Sequence, residues 1–511
     1  MIRALIGVSL VLLAFRVASA ALVVTQPGFT DAYYYLDVAR RLAHGEGLTA
    51  DFVWNFIEAP LLQPLPVPSH RFWMPLVSVI EAAGIAAFEP LLGAFRSAQV
   101  AIIAIAAFVP AVTYMAARSI GASVAAALTG AALAGIGGGA FAPAWVTLDS
   151  FGIAAVVGTF FFIAFGRAAR GDARAGLVAG ALVGLLFLAR AEGALFGVAL
   201  LALAARPLSR RAGLAGSGVA LAIGLAWVAR GFALGGAPDL LTRTALIARY
   251  EDFFALVPSG TADVAGILGT RLGALWSDLV LAIASLLFFL ALPLANGLRV
   301  KRQLVAVRAF AGLALLLYAA ESVIWPLHAT RGSYFHSLAA LYPFAMALVA
   351  VGGESWLALR PAGARPVAVI GTLGAAAALA IFGLGAWQVA FDEPYRARAA
   401  ALDAIPPGPL LAIDAAAWRY IADRTALVTP ADGPDSAACV AARYGVRSVV
   451  LEAAHFSAYN ALYDGATVPW LGPPTDRGGI RVYPVRADVV CRVEGSAIRL
   501  ATDTARGEIV P

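Results

Sequence analysis

Pro27-Gly28-Phe29-Thr30-Asp31-Ala32-Tyr33-Tyr34-Tyr35-Leu36-Asp37-Val38-Ala39-Arg40-Arg41-Leu42-Ala43-His44-Gly45-Glu46-Gly47 follows the first apolar run of the chain, and its reading decides what the rest is. Thr30 or Asp31 stands where a side chain caps a helix N-terminus, the middle is amphipathic, and Gly45 ends the helix. A helix of this kind, rich in tyrosine, is expected to lie along a membrane surface with its rings at headgroup level. It sits in a loop, 25–96, far longer than the roughly 12–15 residues of a plain connector, and such loops are usually functional.

The surroundings of that loop are apolar. Of 511 residues 61% are hydrophobic and 13% charged, with a mean hydropathy of +0.82. No soluble core hides that much apolar surface. Runs long enough to cross a bilayer, roughly 20 residues each, recur, for example over 97–117, 119–148 and 279–298, and the hydropathy rule predicts about eleven such helices.

Arginines orient them, because positive residues near short loops stay cytoplasmic. Arg118; Arg167, Arg170 and Arg174; Arg206, Arg210 and Arg211; Arg299, Lys301, Arg302 and Arg308; and Arg360 and Arg365 fall at every second connection. The alternate connections face outward: 25–96, 141–150, 190–193, 230–271, 325–334 and everything after about Val389. Topology and anionic lipid thus account for the net charge of +6, and nucleic-acid binding is discarded. Met1 to Ala20 resembles a secretory signal, yet Arg16 interrupts its apolar run and apolar residues continue through Val24, so an uncleaved first helix is expected, with a cytoplasmic N-terminus. Arg16 is expected to face the bundle or water.

Pro68 to Phe88 reads as a juxtamembrane or re-entrant helix, since a full span there would invert the arginine pattern. After Val389 strands at 410–413, 426–428 and 447–451 alternate with helices at 415–424 and 436–444, predicting a small extracytoplasmic α/β domain. The expected division is a membrane module, 1–390, and this domain, 391–511. Cys439 and Cys491 both fall in the outward part, where an oxidising compartment permits a bridge; spacing alone does not decide it.

Polar residues are concentrated on the outward side. Asp149 lies in the short connection Thr147-Leu148-Asp149-Ser150, where an acid is costly without water, metal or a partner. Glu321 precedes Trp325-Pro326-Leu327-His328-Ala329-Thr330-Arg331-Gly332-Ser333-Tyr334-Phe335-His336, and His328, Arg331 and His336 are of the types that hold a phosphate.

In order along the chain, four stretches resemble the GT-C superfamily of membrane glycosyltransferases that use polyprenyl-phosphate sugars, in particular its bacterial mannosyltransferase-like and aminoarabinose-transferase-like members. They are Thr30 to Leu42 with Gly45-Glu46-Gly47, Thr147 to Ser150, Leu188-Ala189-Arg190-Ala191-Glu192-Gly193, and Arg443 to Leu451. The resemblance implies a polytopic all-α bundle with a small C-terminal α/β domain. It also implies transfer of a sugar from a lipid phosphate to a hydroxyl at the outer membrane face. That chemistry needs a carboxylate base and cations at the departing phosphate. Asp31 is then the base; Arg331, His328 and His336 cradle the phosphate, with Arg71 and His70 in reserve; Asp149 orients the acceptor or, if a divalent metal is used, supplies an oxygen ligand with Asp31. Asp37, Arg190, Glu192 and Glu321 are further candidates. Ala32 stands where many relatives have a second acid.

Structural roles compete at each position. Asp31 and Asp149 are in place to cap helices, the histidines to pack at the interface, and Glu192 to pair with Arg190. A lipid-linked sugar transporter and a non-catalytic scaffold are the rival functions. Against the first, there is no internal repeat and the polar residues are not at the midplane.

Overall fold

Apolar runs long enough to cross a bilayer have nowhere to satisfy their peptide groups except along their own axis, and they form helices. The computed structural model describes residues 2–57, 63–234, 249–257, 264–487, 491–494 and 497–500. Among these, eight helices are long and apolar enough to span a membrane, or nine when one bent pair is counted as a span. The protein is a multi-pass membrane protein.

The chain divides into two units: Met1–Leu48, His70–Pro238 and Val264–Phe391 in the first, and Thr49–Ser69, Asp239–Asp263 and Asp392–Pro511 in the second. A linear boundary at 390 therefore misses two insertions, one from the 25–96 loop and one from the 230–271 segment.

The first unit begins with α1 (Ile2–Leu22) and α2 (Thr30–Ala43). Arg16 is buried and donates to the Gly135 carbonyl at 3.2 Å, facing the bundle as its cost in lipid requires. In α3 (Leu76–Ala106) the helix breaks at Gly93, whose φ of 73° is open to glycine. The chain doubles back there, since a Cβ on Gly84 would meet the Ser97 carbonyl at 2.4 Å. Residues 76–92 are thus one arm of a helical hairpin.

Next come α4 (Val109–Ser119), α5 (Val124–Ile136), α6 (Gly138–Ala144), α7 (Phe151–Ala168), α8 (Ala173–Ala189), α9 (Gly197–Ala204) and α10 (Arg210–Ala233). The run 119–148 is not one straight span, because α5 and α6 meet at 65°. After α11 (Val264–Ser285) and α12 (Ala291–Lys301) follow α13 (Val305–Val323), α14 (Pro326–Ala329), α15 (Ser333–Leu357) and α16 (Ala364–Ala400). The run 279–298 is broken as well, at Leu287 and Phe288, which both have positive φ. Of the expected outward segment 230–271, the described residues end α10, form a short turn at Tyr250–Phe253 and begin α11; Arg243 lies outside the described residues.

The core of this unit is α15, buried along most of its length and packed against α5, α7 and α12. Small residues permit that approach: a Cβ on Gly158 of α7 would stand 2.3 Å from the Ala340 carbonyl of α15.

The second unit holds a short antiparallel pair, β1 (Thr49–Ala50) with β3 (Val67–Pro68), and a sheet in the order β2-β5-β4-β6-β8-β7, from β2 (Phe52–Val53), β4 (Leu410–Ala412), β5 (Ala426–Val428), β6 (Ser448–Leu451), β7 (Thr475–Arg477) and β8 (Ile480–Pro484). The strands from β2 to β6 pair parallel, with α17 (Ala415–Ala422) and α18 (Pro434–Tyr444) as crossovers. Parallel strands need such crossovers. Cys439 and Cys491 are joined in a disulfide, their Cα atoms 4.7 Å apart.

Candidate functional site

The N-terminal residue of α2 is preceded by Phe29, and no side chain caps the helix. Neither Thr30 nor Asp31 is a cap. Nor do the tyrosines meet headgroups: Tyr33, Tyr34 and Tyr35 are all buried, because the first arm of α3 covers α2 and Ser78 donates to the Tyr35 carbonyl at 2.9 Å. Tyr33 donates to Gln26, and the Tyr34 hydroxyl accepts the His70 backbone N–H at 2.6 Å. The Tyr35 hydroxyl, one helical turn after Asp31, is buried without a hydrogen-bond partner among the described residues.

Freed from capping, Asp31 faces an arginine. Arg190, just past the end of α8, places Nη1 3.7 Å from Asp31 Oδ2 and Nη2 3.3 Å from Glu192 Oε1. Glu192 in turn accepts from the Ser333 hydroxyl at 2.5 Å, and the same hydroxyl lies 2.7 Å from Glu321 Oε2. Ser333 opens α15, and one turn later His336 reaches Asp149, Nε2 to Oδ2, at 2.8 Å. Asp149 is fully buried, and its other oxygen accepts the Ser150 N–H. One ligand atom each from Asp31, Asp149 and His336 lie within 4.8 Å of one another, which closes the ring.

The electrostatics favour this network. Burial opposes charge on Arg190, but Glu192, Tyr35, Asp31 and Asp149 outweigh it and hold the guanidinium above its ordinary value. Burial likewise opposes the Asp149 carboxylate, but His336 and Arg190 bring it below the usual range. Burial, with Asp149 and Asp31 nearby and Arg190 working the other way, pushes the Tyr35 phenol well up.

His336 Nδ1 donates to the Gly332 carbonyl at 2.8 Å, and Nε2 faces the Asp149 carboxylate, which only accepts, so Nε2 donates there unless a cation takes the place of its proton. A backbone acceptor on one ring nitrogen is how proteins orient a metal-ligating histidine. Two carboxylates and an imidazole so disposed fit a divalent cation of the magnesium, manganese or zinc type.

The remaining candidates divide. His328, on α14, packs its ring 5.6 Å from Phe72, and burial brings it down to about 4. Arg331 is exposed in the turn before α15, and Arg71 is half-buried. His70 does not fit a phosphate cradle: it is buried against Tyr34 and Tyr35, and burial lowers it to about 3, so it carries no charge at neutral pH. Its Nδ1 faces the Trp73 carbonyl, which leaves Nε2 with a lone pair and no proton to donate. His336 is engaged by Asp149 and belongs with the carboxylates. Asp37 is buried on α2, six residues from Asp31 and off its face. Sequence reading missed Ser333, Tyr35 and Glu81, a fully buried acid on α3 whose two oxygens meet no donor among the described residues. An acid inside an apolar run was a readable signal for Glu81; nothing distinguished Ser333.

No family model and no curated protein matches the chain. Solved structures do. ArnT from Cupriavidus metallidurans in the apo state aligns with a TM-score of 0.57 at 15% identity, covering 94% of this chain and 97% of that one. The archaeal oligosaccharyltransferase AglB from Archaeoglobus fulgidus, in complex with an inhibitory peptide and a dolichol-phosphate, aligns with a TM-score of 0.51 at 13% identity, covering 87% of this chain and 69% of that one. Both neighbours are GT-C glycosyltransferases, and this chain has the GT-C fold.

Proposed function

We propose that the protein is a glycosyltransferase that moves a sugar from a polyprenyl-phosphate donor to a hydroxyl acceptor at the outer face of the cytoplasmic membrane. The observation that carries this reading is Asp31, held by Arg190 beside the Asp149–His336 pair, in a chain folded like ArnT and AglB. A carboxylate held in place by an arginine is of the type that accepts the proton of an attacking hydroxyl. The dolichol-phosphate bound to AglB supports a lipid phosphate as donor. Arg331 and Arg71 are the cations assigned to the leaving phosphate, with His328 beside them as a neutral group.

A divalent metal, if used, would be held by Asp31, Asp149 and His336. It would supply Lewis-acid stabilisation of phosphate charge. With or without it, Arg190 sets the position of Asp31, and the Gly332 carbonyl that of His336.

About eleven crossings fit this reading when the bent α5–α6 pair and the shorter apolar helices 173–189 and 191–204 are counted, with the N-terminus cytoplasmic and residues 391–511 extracytoplasmic as a small α/β domain. The test is sugar release from radiolabelled polyprenyl-phosphate hexoses by purified protein in lipid, comparing wild type, Asp31→Asn and added chelator. Transfer abolished by the substitution supports Asp31 as base, and loss with chelator supports the metal. No transfer from any donor by folded protein removes the reading.

A further inference from the structure

A hydroxyl has one proton, yet the Ser333 hydroxyl is shared by two carboxyl groups, Glu192 Oε1 at 2.5 Å and Glu321 Oε2 at 2.7 Å. If both acids were ionised, one of these contacts would set oxygen lone pair against oxygen lone pair, because a carboxylate only accepts. One acid therefore carries a proton and donates it to Ser333 Oγ. The surroundings say which. Glu192 is ion-paired to Arg190 at 3.3 Å. Glu321 is 1% exposed and makes no ion pair among the described residues, and the groups that approach its carboxyl are the Ser333 and Ser337 hydroxyls, neither of them a cation. The titratable groups facing it from neighbouring elements are Glu192, Arg190 and Tyr334, while Asp278 is turned to Ser322.

We infer that Glu321 is a neutral carboxylic acid that donates to Ser333 and thereby commits the serine proton to Glu192, making Glu321 a positioning residue for Arg190 and Asp31. The order of donation runs one way, Glu321 to Ser333, Ser333 to Glu192 and Arg190 to Glu192, and the same guanidinium is ion-paired with Asp31. Its consequence for transfer rests on the proposed glycosyltransferase reading. The protonation state does not.

Infrared spectroscopy of the full chain in nanodiscs at neutral pH, exchanged into deuterium oxide, separates the two. The expected result is a carbonyl band of a protonated carboxylic acid in wild type that is lost in Glu321→Gln and kept in Glu192→Gln. Its absence from wild type, or its loss in Glu192→Gln alone, overturns the inference whether or not sugar is transferred. In the transfer assay Glu321→Ala is expected to lower kcat about tenfold with KM little changed, the scale of losses behind a directly acting group. Glu321→Gln, whose amide still donates, is expected to recover most of that loss. A glutamine variant no better than the alanine one rejects the positioning role while the infrared result stands by itself.

Discussion

His336 Nε2 lies 2.8 Å from Asp149 Oδ2, joining the first turn of the most buried helix to the short connection before α7. The two residues are 187 positions apart in the chain, and each alone would be an expensive polar group in an apolar setting.

That pairing, with Asp31 close by, predicts divalent-cation binding. Manganese titrated into the purified protein and followed by electron paramagnetic resonance is expected to bind wild type, and His336→Ala or Asp149→Asn is expected to weaken it by about tenfold or more. Equal binding to wild type and both variants places the ion elsewhere.

Arg190 joins Asp31 to Glu192 through two different nitrogens of one planar group. Arg190→Lys is therefore expected to behave more like Arg190→Ala than like wild type, since an ammonium is a single point of charge. Both are expected to reduce transfer by about a hundredfold through loss of orientation, and the alanine variant to lose about 3 kcal/mol of stability from unpaired acids. Full activity in the lysine variant argues that charge alone suffices.

Two histidines make the fold acid-sensitive. His70 and His328 are lowered from 6.5 to about 3 and about 4, so between those values and 6.5 the unfolded chain binds more protons than the folded one. Their contribution is complete above pH 6.5 and falls as pH drops below it, by about 1.4 kcal/mol per pH unit for each. Asp149, already below its usual value, yields only at lower pH. Melting temperatures at pH 7 and pH 5 are expected to differ less in His70→Phe than in wild type; an unchanged difference excludes His70 as a source.

The approach of α7 to α15 at Gly158 leaves no room for a methyl group, the built Cβ standing 2.3 Å from the Ala340 carbonyl. Gly158→Ala is expected to cost about 2 kcal/mol, as overpacking does, and Gly158→Val more. Melting of the detergent-solubilised protein measures it. A neutral alanine substitution means that the helices separate without cost.

Much of this protein was legible before folding was considered. The apolar runs, the tyrosine-rich helix and the alternation over 410–451 follow from local hydropathy and turn chemistry, which residue order alone contains. Asp31 and Arg190 entered through the resemblance, while Asp149, Glu192 and Glu321 stood out because charge in an apolar context needs a reason. Their partners did not. Ser333 is an ordinary serine until two acids from distant segments converge on it, and His336 reads as a phosphate ligand until Asp149 takes its ring nitrogen. His70 looks cationic until burial between aromatic rings removes its charge. The insertion of 49–69 into the second unit was likewise invisible, because β2 is two residues long and exists only by pairing with β5. Local composition determines where a helix runs and which groups are costly to bury; only the packed structure decides which of those groups meet, because contact across the chain depends on geometry that residue order does not contain.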